Sequence, residues 1–412
     1  MEQKNKQAGL GWSRRGFLST TVCAATVFQI VPRHVLGGPG YTAPSDTLGG
    51  ALIGCGGRGN STFGGLGKNV KRLAQCDIKF KANADNKTIY TDFRRVLERS
   101  DIDVVAIATP PHWHALITIA AMQAGKDVLC EKPLTRFIAE GRAVVNAEKR
   151  YGRILQLGTY GRYGEFRNRG KMLTHKIMTS GLLKDCQGVH IKRGGLKVKQ
   201  WSGYVNPLPQ TVPDTLDWDM YCGPSPLRPF HPHRHGGSHR GYWDYEGGGL
   251  ADMGQHHFDP AQWVYGKDHT SPVEIVASGP PADALACGMW GWVELRYADG
   301  FTFVMDSREW GPGYDRKKDR GISLSDLSEA DQKKIQSAPD PEIWPSFEES
   351  VKSRQPLGRA EAAHRSSTLL HLANIAIRTG RKLNYDPVAE QIIGDEEANR
   401  LVNQPMRAPW HI

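Results

Sequence analysis

The 412-residue sequence predicts an α/β domain on a doubly wound parallel sheet, followed by an α+β domain with a mostly antiparallel open sheet. Three observations predict it. Short apolar runs alternate with helical segments over residues 48–155, a glycine-rich turn directly follows the first run, and after residue 156 strands recur with tight turns between them. A chain of this length exceeds what one ordinary core organises, so two domains are expected.

Before the first run, Ser13-Arg14-Arg15-Gly16-Phe17-Leu18 leads an uncharged stretch over residues 19–31, and Val35 and Gly37 are small enough for the −3 and −1 positions of a cleavage site. This is the pattern of a twin-arginine export signal over residues 1–37, with a linker at 38–47 and a periplasmic mature protein. No other stretch reaches the roughly 18 apolar residues that cross a bilayer, so no stable membrane insertion is expected after processing. The formal net charge is +10. Five basic groups (Lys4, Lys6, Arg14, Arg15 and Arg33) fall in the signal against Glu2 alone, and the remaining excess is spread thinly. No Lys/Arg run interleaved with aromatics marks a phosphate-backbone stripe, which excludes nucleic acid as a partner. The six cysteines beyond Cys23 form no C-x-x-C pair and read as core thiols.

The first strand is expected at 48–53. Gly54-Cys55-Gly56-Gly57-Arg58-Gly59 follows it directly, a G-x-G-x-x-G turn. Gly54 permits the turn, Gly56 lets the backbone approach a pyrophosphate, and Gly59 packs the next helix against the strand. A second strand at 71–76 ends in Asp77, where a carboxylate accepts from both ribose hydroxyls and repels a 2′-phosphate. NAD is therefore expected, in preference to NADP. A third strand at 103–109 runs into Pro110-Pro111-His112-Trp113-His114, a helix at 115–124 stops at Gly125, and a strand at 127–130 runs into Glu131-Lys132-Pro133. Ligands of such sheets sit beyond the carboxyl ends of the strands, so these turns converge. The expected cofactor residues are Gly54, Gly56, Gly57, Arg58, Gly59, Asp77, Thr109, Pro110, His114, Glu131 and Lys132.

The second domain is expected over 156–380, with a C-terminal tail at 381–412 packed on the first domain through Arg407-Ala408-Pro409-Trp410. A polar helix at about 165–180 precedes a strand at 188–193 and a long Pro-, Trp- and His-rich loop at 194–245. Strands follow at 273–278, 290–297 and 301–306, the last two joined by the hairpin signal Ala298-Asp299-Gly300. A helix at 360–379 returns to the first domain. In the long loop, Trp201, Tyr204, Trp218, Tyr221, Tyr242, Trp243 and Tyr245 suit either stacking on sugar rings or a core, and Tyr242 and Trp243 are candidate substrate residues. The histidine-rich segment 231–239 could bind a metal, but its lack of carboxylates and its Pro/Gly content favour a solvated substrate loop, and no metal site is assigned. In Gly247-Gly248-Gly249-Leu250-Ala251-Asp252-Met253-Gly254-Gln255-His256, the spacing puts Asp252 and His256 on one helix face. The glycine run suits close approach of backbone to a ligand.

Through residues 53–59, 108–114, 131–133 and 247–263, the chain resembles the glucose–fructose oxidoreductase/inositol dehydrogenase (Gfo/Idh/MocA) family along nearly all of its mature length. The resemblance implies a Rossmann domain and a homo-oligomer, dimer or tetramer, assembled through the open sheet. It implies that Lys132, set by a cis Lys-Pro peptide, points at the substrate hydroxyl. His256 is then the general base, and Asp252 orients the imidazole or contacts the sugar. The implied activity is NAD(P)-dependent oxidation of a secondary alcohol of a sugar, glycoside or polyol. Outside the cytoplasm, where no nicotinamide pool recycles a diffusing cofactor, the cofactor would be tightly held. Two alternatives remain open: redox-neutral glycoside cleavage by oxidation and elimination, and a non-catalytic sugar-binding descendant. One departure from the family stands out. The stretch from Asp77 to Tyr90 is too short for the usual helix-bearing connection, so a truncated second crossover is expected.

Overall fold

The computed structural model describes residues 47–80, 87–159, 168–183, 189–315, 322–355 and 358–412. The export signal expected at 1–37 lies outside them. The first domain contains β1 (Leu48–Ile53), α1 (Gly59–Gly64), β2 (Val70–Cys76), β3 (Ile89–Tyr90), α2 (Phe93–Leu97), β4 (Val104–Ile107), α3 (His114–Gln123), β5 (Asp127–Glu131), α4 (Ile138–Tyr151) and β6 (Leu155–Gly158). Its strands form one sheet in the order β3-β2-β1-β4-β5-β6, with every pairing parallel. Covered on both faces, such strands need continuous apolar runs, and Val104–Ile107 is wholly buried. The order reverses between β1 and β4, which opens a crevice beyond their carboxyl ends. The second crossover is short: β3 has two residues, and among the described residues no helix lies between β2 and β3.

The second domain comprises α5 (Arg169–Thr179), β7 (Val189–Arg193), α6 (Trp218–Cys222), α7 (Gly248–Val264), β8 (Glu274–Ser278), β9 (Trp292–Arg296), β10 (Thr302–Asp306), α8 (Glu329–Ser337), α9 (Phe347–Ser353), α10 (Arg359–Thr379), β11 (Leu383–Asp386), β12 (Gln391–Ile392) and α11 (Glu396–Asn399). The sheet order is β12-β11-β8-β9-β10-β7, antiparallel except where β7 joins β10 in parallel. Leu250 and Phe258 of α7, Val293 and Leu295 of β9, Phe303 of β10 and Leu372 of α10 share its core.

Helix α10 belongs to two cores. Its first turns place Ala360 and Ala363 against Val144 and Val145 of α4 in the first domain, while Leu369 to Ile377 pack under the second sheet. At the seam, Arg142 of α4 bridges Glu361 at 2.6 Å and Glu390 at 2.7 Å. The Trp410 ring packs edge-on against Trp113 with centroids 4.8 Å apart. No helix among the described residues is long and apolar enough to cross a membrane. Cys55, Cys76, Cys130, Cys222 and Cys287 are free thiols.

Candidate cofactor and substrate cleft

A cleft of about 750 Å3 opens over the carboxyl ends of the first sheet, within the range of small-molecule sites. The glycine turn forms one wall. Gly54 has φ +89°, and a Cβ there would stand 2.5 Å from the Ala108 carbonyl carbon and the Thr109 nitrogen, so only glycine lets β1 and β4 turn away side by side. A Cβ on Gly59 would stand 2.6 Å from the Gly54 oxygen, which is the close helix–strand contact expected of the third glycine. Around Gly56 and Gly57 an added Cβ meets nothing within 4 Å. That open space faces the cleft and fits a dinucleotide pyrophosphate.

Asp77 ends β2 at the same wall. Its carboxylate accepts from the backbone N–H of Cys55 at 2.7 Å and of Lys79 at 3.1 Å, and the Lys79 ammonium donates to the Cys55 carbonyl at 2.7 Å. Glu131, at the end of β5, accepts from the Thr62 hydroxyl at 2.9 Å and from Arg58 Nη2 at 3.4 Å, tying the turn after β1 to a strand on the far side of β4. Thr109 and Pro110 line the cleft as well. His114 does not. It is 1 % exposed, with Nδ1 2.7 Å from the Pro133 carbonyl and Nε2 2.8 Å from the Thr109 carbonyl. This corrects its assignment as a cofactor contact: it is a strut joining two wall segments from beneath.

The Lys132-Pro133 peptide is cis. The Lys132 ammonium crosses to α7 and donates to Asp252 twice, at 2.5 Å to Oδ1 and 2.9 Å to the main-chain carbonyl. Arg240 Nε donates to the same Oδ1 at 2.8 Å and stands 3.8 Å from Glu246 Oε2, which in turn is 3.2 Å from His239 Nε2. Charge therefore alternates along this wall. Burial would raise the Asp252 carboxyl, but the Lys132 and Arg240 cations hold it at about 2. His256 follows one turn along α7. Burial, then the Lys132 charge, push its imidazole down to about 4, while Asp252 acts in the opposite sense. Lys132, Asp252 and His256 are thus brought together, though of the three only Lys132 lines the cleft, and Asp252 and His256, expected to touch substrate, stand behind its wall. His257, also pushed to about 4 by burial and then by Lys192, faces a different neighbour.

Two further expectations need correction. Tyr242 and Trp243 are 0 % and 8 % exposed and do not line the cleft. The Tyr242 hydroxyl meets His233 Nδ1 at 2.9 Å, and the Trp243 indole donates to the Asp283 carbonyl at 3.0 Å. Both are core residues that brace the wall. The glycine run at the start of α7 approaches protein, not ligand, since a Cβ on Gly249 would stand 2.2 Å from the Leu196 carbonyl oxygen. Conversely, Arg240 and Glu246 line the cleft and were not singled out, whereas His235 and His239 of the segment expected as a substrate loop, and Tyr221 of the aromatic loop, do line it. The available signal was an Arg and a Glu flanking the aromatic run just before the glycines. Among the described residues no three His, Cys, Asp or Glu side chains are grouped to hold a metal.

Comparison with known proteins assigns the family. The family model described as the oxidoreductase family C-terminal alpha/beta domain matches residues 170–412, and that of the NAD-binding Rossmann fold of the same family matches residues 62–159. Levoglucosan dehydrogenase of Pseudarthrobacter phenanthrenivorans is 51% identical over 85 residues, 19% of this chain and 21% of that one. Inositol 2-dehydrogenase of Salmonella typhimurium is 33% identical over 129 residues, 29% and 37% of the two chains. A glycosyl hydrolase family 109 protein of Shewanella putrefaciens is 38% identical over 74 residues, 17% and 16%. The chain thus spans well under half the length of these relatives. Among solved structures, the WlbA dehydrogenase of Bordetella pertussis, in complex with NADH and UDP-GlcNAcA, shares the fold with a TM-score of 0.51 at 15% identity over 82% of this chain and 99% of that one. The chain belongs to the Gfo/Idh/MocA oxidoreductase family, with an NAD-binding Rossmann domain at its head.

Proposed function

We propose that the protein oxidises a secondary alcohol of a sugar, glycoside or polyol with a tightly held NAD. The observation that carries this reading is the junction at Lys132, whose ammonium leaves the cofactor cleft and lands on Asp252, one turn before His256. An ammonium has three donors, and Asp252 takes two, which leaves one for a substrate oxygen. His256, neutral at physiological pH, takes the hydroxyl proton while Lys132 steadies the developing alkoxide. Asp252 and Arg240 fix the direction of Lys132 without taking part in the transfer. Bound NAD supplies the hydride acceptor. The likeness to levoglucosan and inositol dehydrogenases supports a neutral polyhydroxylated substrate.

A panel of sugars, glycosides and inositols, followed at the NADH absorbance band, tests the reading. Lys132→Met and His256→Asn are each expected to lower kcat by roughly 10²-fold or more. Unchanged turnover in both variants would sink it. The match to a glycosyl hydrolase family 109 protein supports a second reading, redox-neutral glycoside cleavage. In that case a nitrophenyl glycoside releases its phenol with no net change in NADH. In this proposal the twin-arginine segment exports the folded protein as a homo-oligomer to the periplasm. Replacing Arg14 and Arg15 by Lys should leave it in the cytoplasm, which fractionation reads directly.

A further inference from the structure

The cleft is not walled by the first domain alone. Beyond Asp77 it runs between Ile78, Lys79 and Phe93 of the first domain and Pro213, Leu216 and Met220 of the second. The two sides interlock. Ile78 packs on a second-domain cluster built from Trp218, Tyr221 and Phe230, while Met220 packs on the core of the first domain.

This second side is pinned from several directions. The Trp113 indole and the His112 ring both reach the Tyr221 carbonyl, at 3.1 and 2.8 Å. A Cβ on Gly223 would stand 2.0 Å from the Trp113 ring, so the chain lies directly on that indole. Arg136 reaches the Ser225 hydroxyl at 3.0 Å, and Arg407 of the tail reaches the Gly223 and Ser225 carbonyls at 3.0 and 3.2 Å. Leu216 and Met220 are nonetheless only partly buried and contribute to the cleft lining. In a doubly wound sheet the acid ending β2 marks the adenosine ribose, so the adenine of a bound dinucleotide falls beyond Asp77 into this slot.

We infer that Pro213, Leu216 and Met220 form an apolar wall over the adenosine half of NAD and so make it a resident group. The inference rests on the cofactor assignment and not on the choice of substrate. Purified full-length protein should retain about one NAD per chain through gel filtration, and radiolabelled NAD should be chased out slowly by unlabelled NAD. The double variant L216S/M220S should exchange NAD at least about tenfold faster, because two apolar contacts with the ligand are lost. Leu208→Ser, at a side chain that is 82 % exposed and outside the cleft, should exchange like the parent. A folded double variant with the parental exchange rate would overturn the inference. If the double variant does not fold, Leu216→Ala carries the same comparison. In the parent protein, ADP-ribose added after NAD is stripped should slow hydrogen exchange over residues 210–221, and no protection there would also overturn it. A parent that binds no NAD at all would instead remove the cofactor assignment itself.

Discussion

Asp252 is held between two cations in a site that is almost dry, with side chains of Lys132 and Asp252 10% and 8% exposed. Asp252→Asn keeps the shape and removes the counter-charge, leaving two buried cations facing a neutral amide. The expected loss is about 3–5 kcal/mol, read from urea unfolding, because breaking a buried pair from one side costs more than the pair contributes. His256 makes a pH prediction. As the proposed base it would work only when unprotonated, so kcat/KM should hold from neutral pH down to about 4 and fall below it. In Lys132→Met the second depressing cause is gone, and the acid limb of the residual activity should move up toward the ordinary 6.5. A limb that stays put would show that Lys132 and His256 are not neighbours. Stability follows the same sign. Burial holds His256, His257 and His371 below 6.5 in the folded state, so the unfolded chain binds more protons and stability declines as pH drops from about 6.5 to 4. Calorimetry should show a melting temperature lower by about 5 °C or more across that window. Asp252 and His256 were legible as a pair because four-residue spacing sets them on one helix face, whereas the end of a strand placed Lys132 at the cleft and only the family resemblance directed it toward that pair. Arg240 lies on a 3-10 turn at Gly236–Gly241 and Glu246 just ahead of α7, where no period says which way a side chain points. Tyr242 and Trp243 read as substrate residues for a related reason: an aromatic side chain in an irregular stretch has the same chemistry whether it faces ligand or core, and only burial separates the two.

At the scale of elements, the glycine turn gives the sharpest expectation. Gly59→Ala places a methyl 2.6 Å from the Gly54 oxygen, so α1 must move off β1. The cost should be about 1–3 kcal/mol of stability, and NAD binding should weaken with it; titration and urea unfolding measure the two together. The strands that were expected were placed to within a few residues, since apolar runs bounded by turn residues leave little freedom: the first was expected at 48–53 and is found at Leu48–Ile53. Residues 381–412, expected as a tail on the first domain, are a correction: β11 and β12 extend the second sheet and Leu383, Tyr385 and Ile392 enter its core, and these two- to four-residue strands are too short to show a period. Helix starts were placed less closely. The polar helix expected from 165 is seen from Arg169 because Asn168 caps it, its side chain accepting from the Lys171 N–H at 3.0 Å. The glycines that open α7 carry a further lesson. A glycine run signals that something approaches closely, but sequence does not say whether that neighbour is a ligand or, as for Gly249, the Leu196 carbonyl.

For the whole molecule, α10 decides how the two sheets respond to stress. One helix contributes Ala360 and Ala363 to the first core and Leu369 to Ile377 to the second, and Arg142 grips its start. Removing the cofactor domain's support therefore removes part of the second core as well, and a single cooperative unfolding transition is expected by circular dichroism and tryptophan fluorescence alike. Two separated transitions would contradict it. The tail has a different consequence. Arg407 does not line the cleft, yet it grips the backbone at Gly223 and Ser225, just behind Tyr221 and Met220. It is a latch on the back of a door frame: if the cofactor is resident as proposed, a chain trimmed before Arg407 should still bind NAD but release it faster than the parent.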